Sequence, residues 1–231
     1  MKRITIFLMT LMLLLGLGMS GHAALMDMGD GTIYDTDIQL SWLKDANYAM
    51  TSGYDADGRM SWAAANTWAN SLNDFGGFAG LTGWRLPTVV DTGSSGCNFA
   101  YSGTDCGYNV DTSTSEMAHL YYDELGNLGY YNTSGVAQAG WGLTNTGPFT
   151  NLQPYLYWSG TEYAPHTNTA WTLYFSHGAQ DWDDKTGHVY ALAVHPGERS
   201  TSVPEPGTLL LLGSGLAGIA VFRKRLGRRE G

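Results

Sequence analysis

Two apolar stretches at the ends of the chain limit what can fold as a domain to the residues between them. At the N-terminus Lys2 and Arg3 precede an uncharged run from Ile4 to Leu17, and Gly21-His22-Ala23 places small residues where a signal peptidase reads. The pattern is that of a secretory signal peptide over residues 1–23, with cleavage expected after Ala23 or Ala24. At the other end Pro204-Glu205-Pro206 leads into an uncharged run from Gly207 to Phe222, closed by Arg223-Lys224-Arg225 and Arg228-Arg229. As a helix that run rises about 24 Å, a little short of a hydrocarbon core of ~30 Å. The basic tail, residues 223–231, is expected to stay in the cytoplasm, which puts everything before Val203 across the membrane. Length and polarity alone also fit a permanent single-span anchor.

Taken together, Pro204-Glu205-Pro206, the helix at 207–222 and the basic tail closely resemble a PEP-CTERM sorting signal. The resemblance implies processing by an exosortase in bacteria that make exopolysaccharide. The protein would be membrane-anchored in transit, then released to the cell surface or extracellular matrix.

Between the end segments lie about 175 residues, within the usual size of one domain; the expected bounds are 25–198, with residues 199–206 as linker and Pro-Glu-Pro motif. From Leu25 to Ser202 there are 19 acidic residues against five basic ones, a difference of −14 that the whole-chain value of −9 conceals. A surface this acidic repels phosphate backbones, so nucleic acid is excluded as a partner. Cys97 and Cys106 are the only cysteines, and in an oxidising, exported setting their spacing suits a disulfide that closes a local loop.

Gly29-Asp30-Gly31 between two short extended pieces predicts an opening hairpin. Ser61 predicts the cap of a helix through Leu72, with Trp62, Ala65, Trp68, Ala69 and Leu72 on its inner stripe. Ser113-Thr114-Ser115-Glu116 reads as a capping box for a second helix carrying Met117, Leu120, Tyr121 and Leu125, with Gly126 as its stop. His119 would then be an ordinary residue on that helix's surface. The segments 155–159, 170–175 and 188–194 each alternate as strands do. Two main helices with short antiparallel strands and long loops make an α+β arrangement.

Several phrases, in order, resemble the Lcl C-terminal domain family: Gly29-Asp30-Gly31-Thr32, Leu40-Ser41-Trp42-Leu43-Lys44-Asp45-Ala46, Ser61-Trp62-Ala63-Ala64-Ala65, Gly83-Trp84-Arg85-Leu86-Pro87-Thr88, Tyr157-Trp158-Ser159-Gly160-Thr161-Glu162-Tyr163 and Ala170-Trp171. The phrase at 83–88 is also similar to a segment of formylglycine-generating-type domains, and a C-type-lectin-like fold is what the resemblance implies. Formylglycine-generating chemistry uses cysteines near the domain's C-terminal end, and this chain has none there.

The remaining chemistry is sparse. His119, His166, His177, His188 and His195 are scattered, without a His-Glu-x-x-His helix or a Gly-x-Ser-x-Gly elbow. The expectation is a noncatalytic protein; the rival is an envelope-glycan enzyme working through paired carboxylates. Asp181, Asp183 and Asp184, with Glu162 and Asn168 from neighbouring strands, are the candidate Ca²⁺ ligands, since hard oxygen donors suit that ion; a solvated acidic turn is the alternative. Asp55-Ala56-Asp57-Gly58 fails as an EF-hand loop, because Gly53 and Ala64 stand at its first and twelfth positions. Trp141 among glycines and Trp182 among aspartates are the candidate ligand-stacking rings, with exopolysaccharide the expected partner. Intact-mass measurement of protein from the native envelope should find Arg223 to Gly231 missing; bulk material that retains them would make the segment a simple anchor.

Overall fold

The computed structural model describes residues 25–93 and 100–197. The expected signal peptide, Cys97, the expected linker with Pro204-Glu205-Pro206, the apolar segment 207–222 and the basic tail lie outside the described residues. Among the described residues no helix is long and apolar enough to cross a membrane.

A hairpin opens the domain, as the Gly29-Asp30-Gly31 signal predicts. Strands β1 (Leu25–Asp27) and β2 (Thr32–Asp35) pair antiparallel, and the turn is pinned where Asp30 Oδ1 accepts the Thr32 N–H at 3.0 Å. Strand β3 (Leu40–Leu43) pairs with β2, and β9 (Val194–Pro196) pairs with β3, in the order β1-β2-β3-β9. A second sheet has the order β4-β8-β5-β6-β7, from β4 (Arg59–Met60), β8 (Val189–Tyr190), β5 (Leu156–Glu162), β6 (Thr169–Tyr174) and β7 (Gln180–Asp184). Its pairings are antiparallel except for β5 with β8.

The segment expected as one strand over 188–194 is divided between the sheets. Ala191-Leu192-Ala193 is buried throughout, so the alternation that holds a strand in one sheet lapses, and the chain passes from β8 into β9. The acidic stretch 181–184 is a strand, not a turn.

Both predicted helices are present, and their apolar stripes are buried apart from Trp62. A single turn, α1 (Tyr48–Thr51), had no sequence signal. Helix α2 (Trp62–Ser71) is capped by Ser61, whose Oγ accepts the Ala64 N–H at 3.4 Å, and it buries Ala65, Trp68 and Ala69. Trp62 lies at the margin: its indole N–H donates to the Ser159 carbonyl at 2.8 Å, and the Lys185 ammonium sits 4.4 Å above its ring. The second helix changes form after one turn. α3 (Glu116–Ala118) runs into a π-helical turn over His119–Glu124, where the Leu125 N–H reaches back to the Leu120 carbonyl at 3.0 Å. Ser115 caps it, accepting from the Ala118 N–H at 3.2 Å. Glu116 does not return to close a capping box, because its carboxylate is committed elsewhere.

That commitment holds the molecule together. The segment Gly83-Trp84-Arg85-Leu86-Pro87-Thr88 runs between the sheets. Arg85 exchanges both backbone hydrogen bonds with Val194 of β9, at 2.9 and 2.8 Å, while the Pro87 carbonyl accepts from the Gly160 N–H and the Ser159 hydroxyl of β5 at 2.7 and 2.9 Å. The Arg85 guanidinium grips Glu116 with two bonds of 2.8 and 2.7 Å, and the Thr88 N–H donates to the same carboxylate at 2.7 Å. Trp84 and Leu86 point into the main core with Trp42, Trp68 and Trp158. A smaller core of Val89, Cys106, Tyr163 and Trp171 lies apart. The Cys97–Cys106 pairing stays an expectation, since Cys97 lies outside the described residues.

Replacing Glu116 by Gln keeps the shape but weakens three charge-assisted bonds at a half-exposed site. The expected cost is about 1–2 kcal/mol, read as a lower urea midpoint with an unchanged slope; an unshifted midpoint would show that the fork contributes nothing.

Candidate functional site

Among the described residues an aromatic cluster is built from two loops and a strand end. Tyr101 and Tyr108 each meet Tyr131 edge-on, with centroids 5.3 and 5.2 Å apart; Tyr130 meets Tyr131 at 4.6 Å and Trp141 at 4.9 Å. His177 joins the group through Tyr108 at 5.9 Å and Tyr174 at 4.6 Å. Trp141 and Tyr101 are 43% and 42% exposed, so the row of rings opens to solvent at both ends.

Backbone contacts hold these rings in place. Asn109 donates from Nδ2 to the Tyr101 and Tyr131 carbonyls at 2.8 and 2.9 Å, clamping the two loops together. The Tyr130 N–H donates to the His177 carbonyl at 2.9 Å. Gly135 has φ +75°, and a Cβ there would lie 2.6 Å from the Tyr101 ring, so glycine is needed for the ring to pack. Gly142, beside Trp141, would place a Cβ 2.9 Å from the Ser176 carbonyl. Burial raises the Tyr108 and Tyr174 hydroxyl pKa values, and the nearby Asp181 carboxylate adds to both. Burial also lowers the His177 pKa, leaving that imidazole neutral near pH 7.

The expected metal group does not converge. Asp181 and Asp183 alternate with Trp182 and Asp184 along β7, which puts the two pairs on opposite faces. Glu162 is paired with Lys185. Asp184 accepts from the Thr186 N–H and hydroxyl at 2.9 and 2.7 Å, bonds that lower its pKa, with Asn168 Nδ2 at 3.5 Å. Among the described residues no three of these four carboxylates bring ligand atoms within 4.8 Å of one another. Trp182 is not the open ring its acidic neighbours suggested. Its side lies opposite Trp171 in the β6–β7 register, and it stacks on Tyr163 with centroids 5.5 Å apart and planes 10° from parallel. Trp141 is exposed, as expected.

A different group does converge: Asp35, His119 and Glu124. Asp35 ends β2 and is fully buried, and its Oδ1 accepts from the Asp37 and Ile38 N–H groups at 3.1 and 3.3 Å. His119 and Glu124 open and close the π-helical turn. The wider turn brings a residue five positions on to the same side. His119 Nε2 is 3.5 Å from Asp35 Oδ2 and 3.2 Å from Glu124 Oε1, while Nδ1 is 3.2 Å from Asp123 Oδ2. Only 8% of His119 is exposed, so it is a buried residue and not the helix-surface one its place in the sequence suggested. The facing Asp35 carboxylate is the main cause that raises the His119 pKa to about 9; burial opposes it, and Glu124 and Asp123 add to it. Burial raises the Glu124 pKa, assisted by the charges of Asp35 and Asp37.

The Lcl C-terminal domain model matches residues 31–195, and the PEP-CTERM protein-sorting motif matches residues 202–225. The chain belongs to the Lcl C-terminal domain family. No curated protein and no solved structure matches it. The sorting motif supports export and exosortase-directed targeting to the cell surface. In this Lcl C-terminal domain the most specific sequence phrase, residues 83–88, is occupied with structure. Its arginine is bound to Glu116, and the Arg85 and Pro87 carbonyls to neighbouring strands.

No local motif marks Asp35, His119 and Glu124, because the aspartate is 84 positions from the histidine in sequence. A polar residue closing the apolar run Thr32-Ile33-Tyr34 was the one available sign. Because the folded pKa of His119 lies above the ordinary 6.5, its stabilising contribution is fully present below pH 6.5 and is lost as pH rises toward 9. In chelator-treated protein the stability difference between wild type and His119→Gln should therefore shrink from pH 6 to pH 9.5, as followed by urea denaturation. A difference independent of pH would mean that the imidazole carries no charge there.

Proposed function

We propose that this exported domain, with the C-type-lectin-like fold its family resemblance implies, is a noncatalytic module that binds neutral or weakly charged polysaccharide at the cell surface or in the extracellular matrix. The observation that carries the proposal is the row of rings from Tyr101 to Trp141. Flat amphipathic rings pack on the apolar faces of sugars while phenol and indole edges hydrogen-bond to hydroxyls. A row of them suits a repeating chain better than a single small ligand.

Charge sets which polymers are acceptable. An excess of 14 acidic residues in the exported part repels strongly anionic chains unless a divalent ion bridges them. Calcium could serve as such a bridge at Asp181 and Asp183, which share a face of β7 with each other but not with Asp184, so only these two of the five expected ligands enter the proposal.

The test is retention of purified protein on the producing organism's exopolysaccharide. Trp141→Ala should weaken binding about tenfold, equivalent to ~1.4 kcal/mol, with little change in thermal stability because the ring is largely outside the core. Unchanged retention would remove the aromatic surface from the account. Shortening of the polymer by repurified protein, abolished by replacing one carboxylate, would make the protein a glycan-cleaving enzyme instead.

A further inference from the structure

Asp35, His119 and Glu124 form a buried polar group with incomplete bonding. Neither Asp35 Oδ2 nor His119 Nε2 has a hydrogen-bond partner, although both atoms are sealed from solvent. The Nε2 contacts with Asp35 and Glu124 have ion-pair distances, yet neither oxygen lies along a hydrogen-bond direction. Leaving buried polar atoms in this state is costly, and in native proteins it calls for an explanation. The side chains of Asp35 and Glu124 are 0% and 4% exposed, so bulk solvent does not reach them.

We propose that Asp35 Oδ2, His119 Nε2 and Glu124 Oε1 are ligands of a first-row divalent metal ion of the zinc type. In a tetrahedral zinc site, with metal–ligand distances of about 2.0–2.1 Å, neighbouring ligand atoms stand about 3.3 Å apart. The 3.2 and 3.5 Å separations around Nε2 match that spacing. One imidazole with two carboxylates favours zinc or manganese over calcium, which takes six to eight oxygens. Two carboxylates also neutralise the charge of the ion, as burial demands.

Asp123 completes the arrangement from outside. Its Oδ2, 3.2 Å from Nδ1, holds that nitrogen protonated and leaves the Nε2 lone pair for the ion, as carboxylates behind metal-bound histidines do. The site ties the end of β2 to the π-helical turn.

Zinc titration of signal-processed protein, first stripped with chelator, tests this without reference to polysaccharide. Calorimetry should give one zinc bound per chain, a higher melting temperature, and no comparable effect from calcium. Long-range proton–nitrogen correlation should show His119 Nε2 moving to the shift of a ligated nitrogen while Nδ1 stays protonated. Asp35→Asn and Glu124→Gln should each lower affinity at least tenfold, and Asp123→Asn should lower it less. Saturating zinc that leaves the His119 resonances unmoved would overturn the proposal, as would full-strength binding by His119→Gln. If those variants do not fold, the wild-type resonances decide alone.

Discussion

The fork between Arg85 and Glu116 is the interaction on which the arrangement depends most. It lies where the segment 83–88 touches both sheets, through Val194 on one side and through Ser159 and Gly160 on the other. Glu116 in turn begins α3, so the position of the π-helical turn follows from the same carboxylate. An arginine is needed here because two parallel N–H groups must meet one carboxylate while the backbone of the same residue pairs with a strand. A lysine would keep the charge and lose the fork.

The passage from β8 to β9 adds a second constraint. Because Ala191-Leu192-Ala193 is buried between the sheets, neither sheet can shift register without displacing the other. This rigidity lets long loops project from the frame and still hold rings in fixed positions. The aromatic surface is anchored to it through the Tyr130–His177 backbone bond and through Gly107, whose N–H and carbonyl pair with Gln180 at the start of β7.

What the sequence revealed depended on whether the cause was local. Ser61 and its stripe of small and aromatic residues are a local cause, and α2 appears where they place it. Trp141 is flanked by glycines, which leave it no side chains to hide behind, and it is exposed. Trp182 differs for the opposite reason: its immediate neighbours Asp181 and Asp183 point to the other face of the strand, while Trp182 itself stacks on Tyr163. The second helix stops where expected but starts and winds differently: Ser115 caps it, Glu116 is held by the distant Arg85 in place of the near backbone, and its last six residues are π-helical. Asp35 and His119 could not be joined by any reasoning within one segment, since only the packing of β2 against the π-helical turn brings them together.

The two surfaces differ in how their chemistry relates to stability. Rings such as Trp141 and Tyr101 are exposed, so the fold gives up the burial energy of large apolar groups to keep them in water. Covering them is the part that the proposed polysaccharide ligand would play. Asp35, His119 and Glu124 present the reverse case: charge is taken out of water where a hydrophobic trio of the same volume would often be at least as stable. With an imidazolium between the two carboxylates the group keeps one negative charge in excess and poorly directed bonds; with the proposed divalent ion the charges cancel and each ligand atom has a directed partner. The geometry around Nε2 and the orienting contact at Nδ1 are therefore more informative than the charges alone, because an ion pair needs only proximity whereas coordination also needs direction.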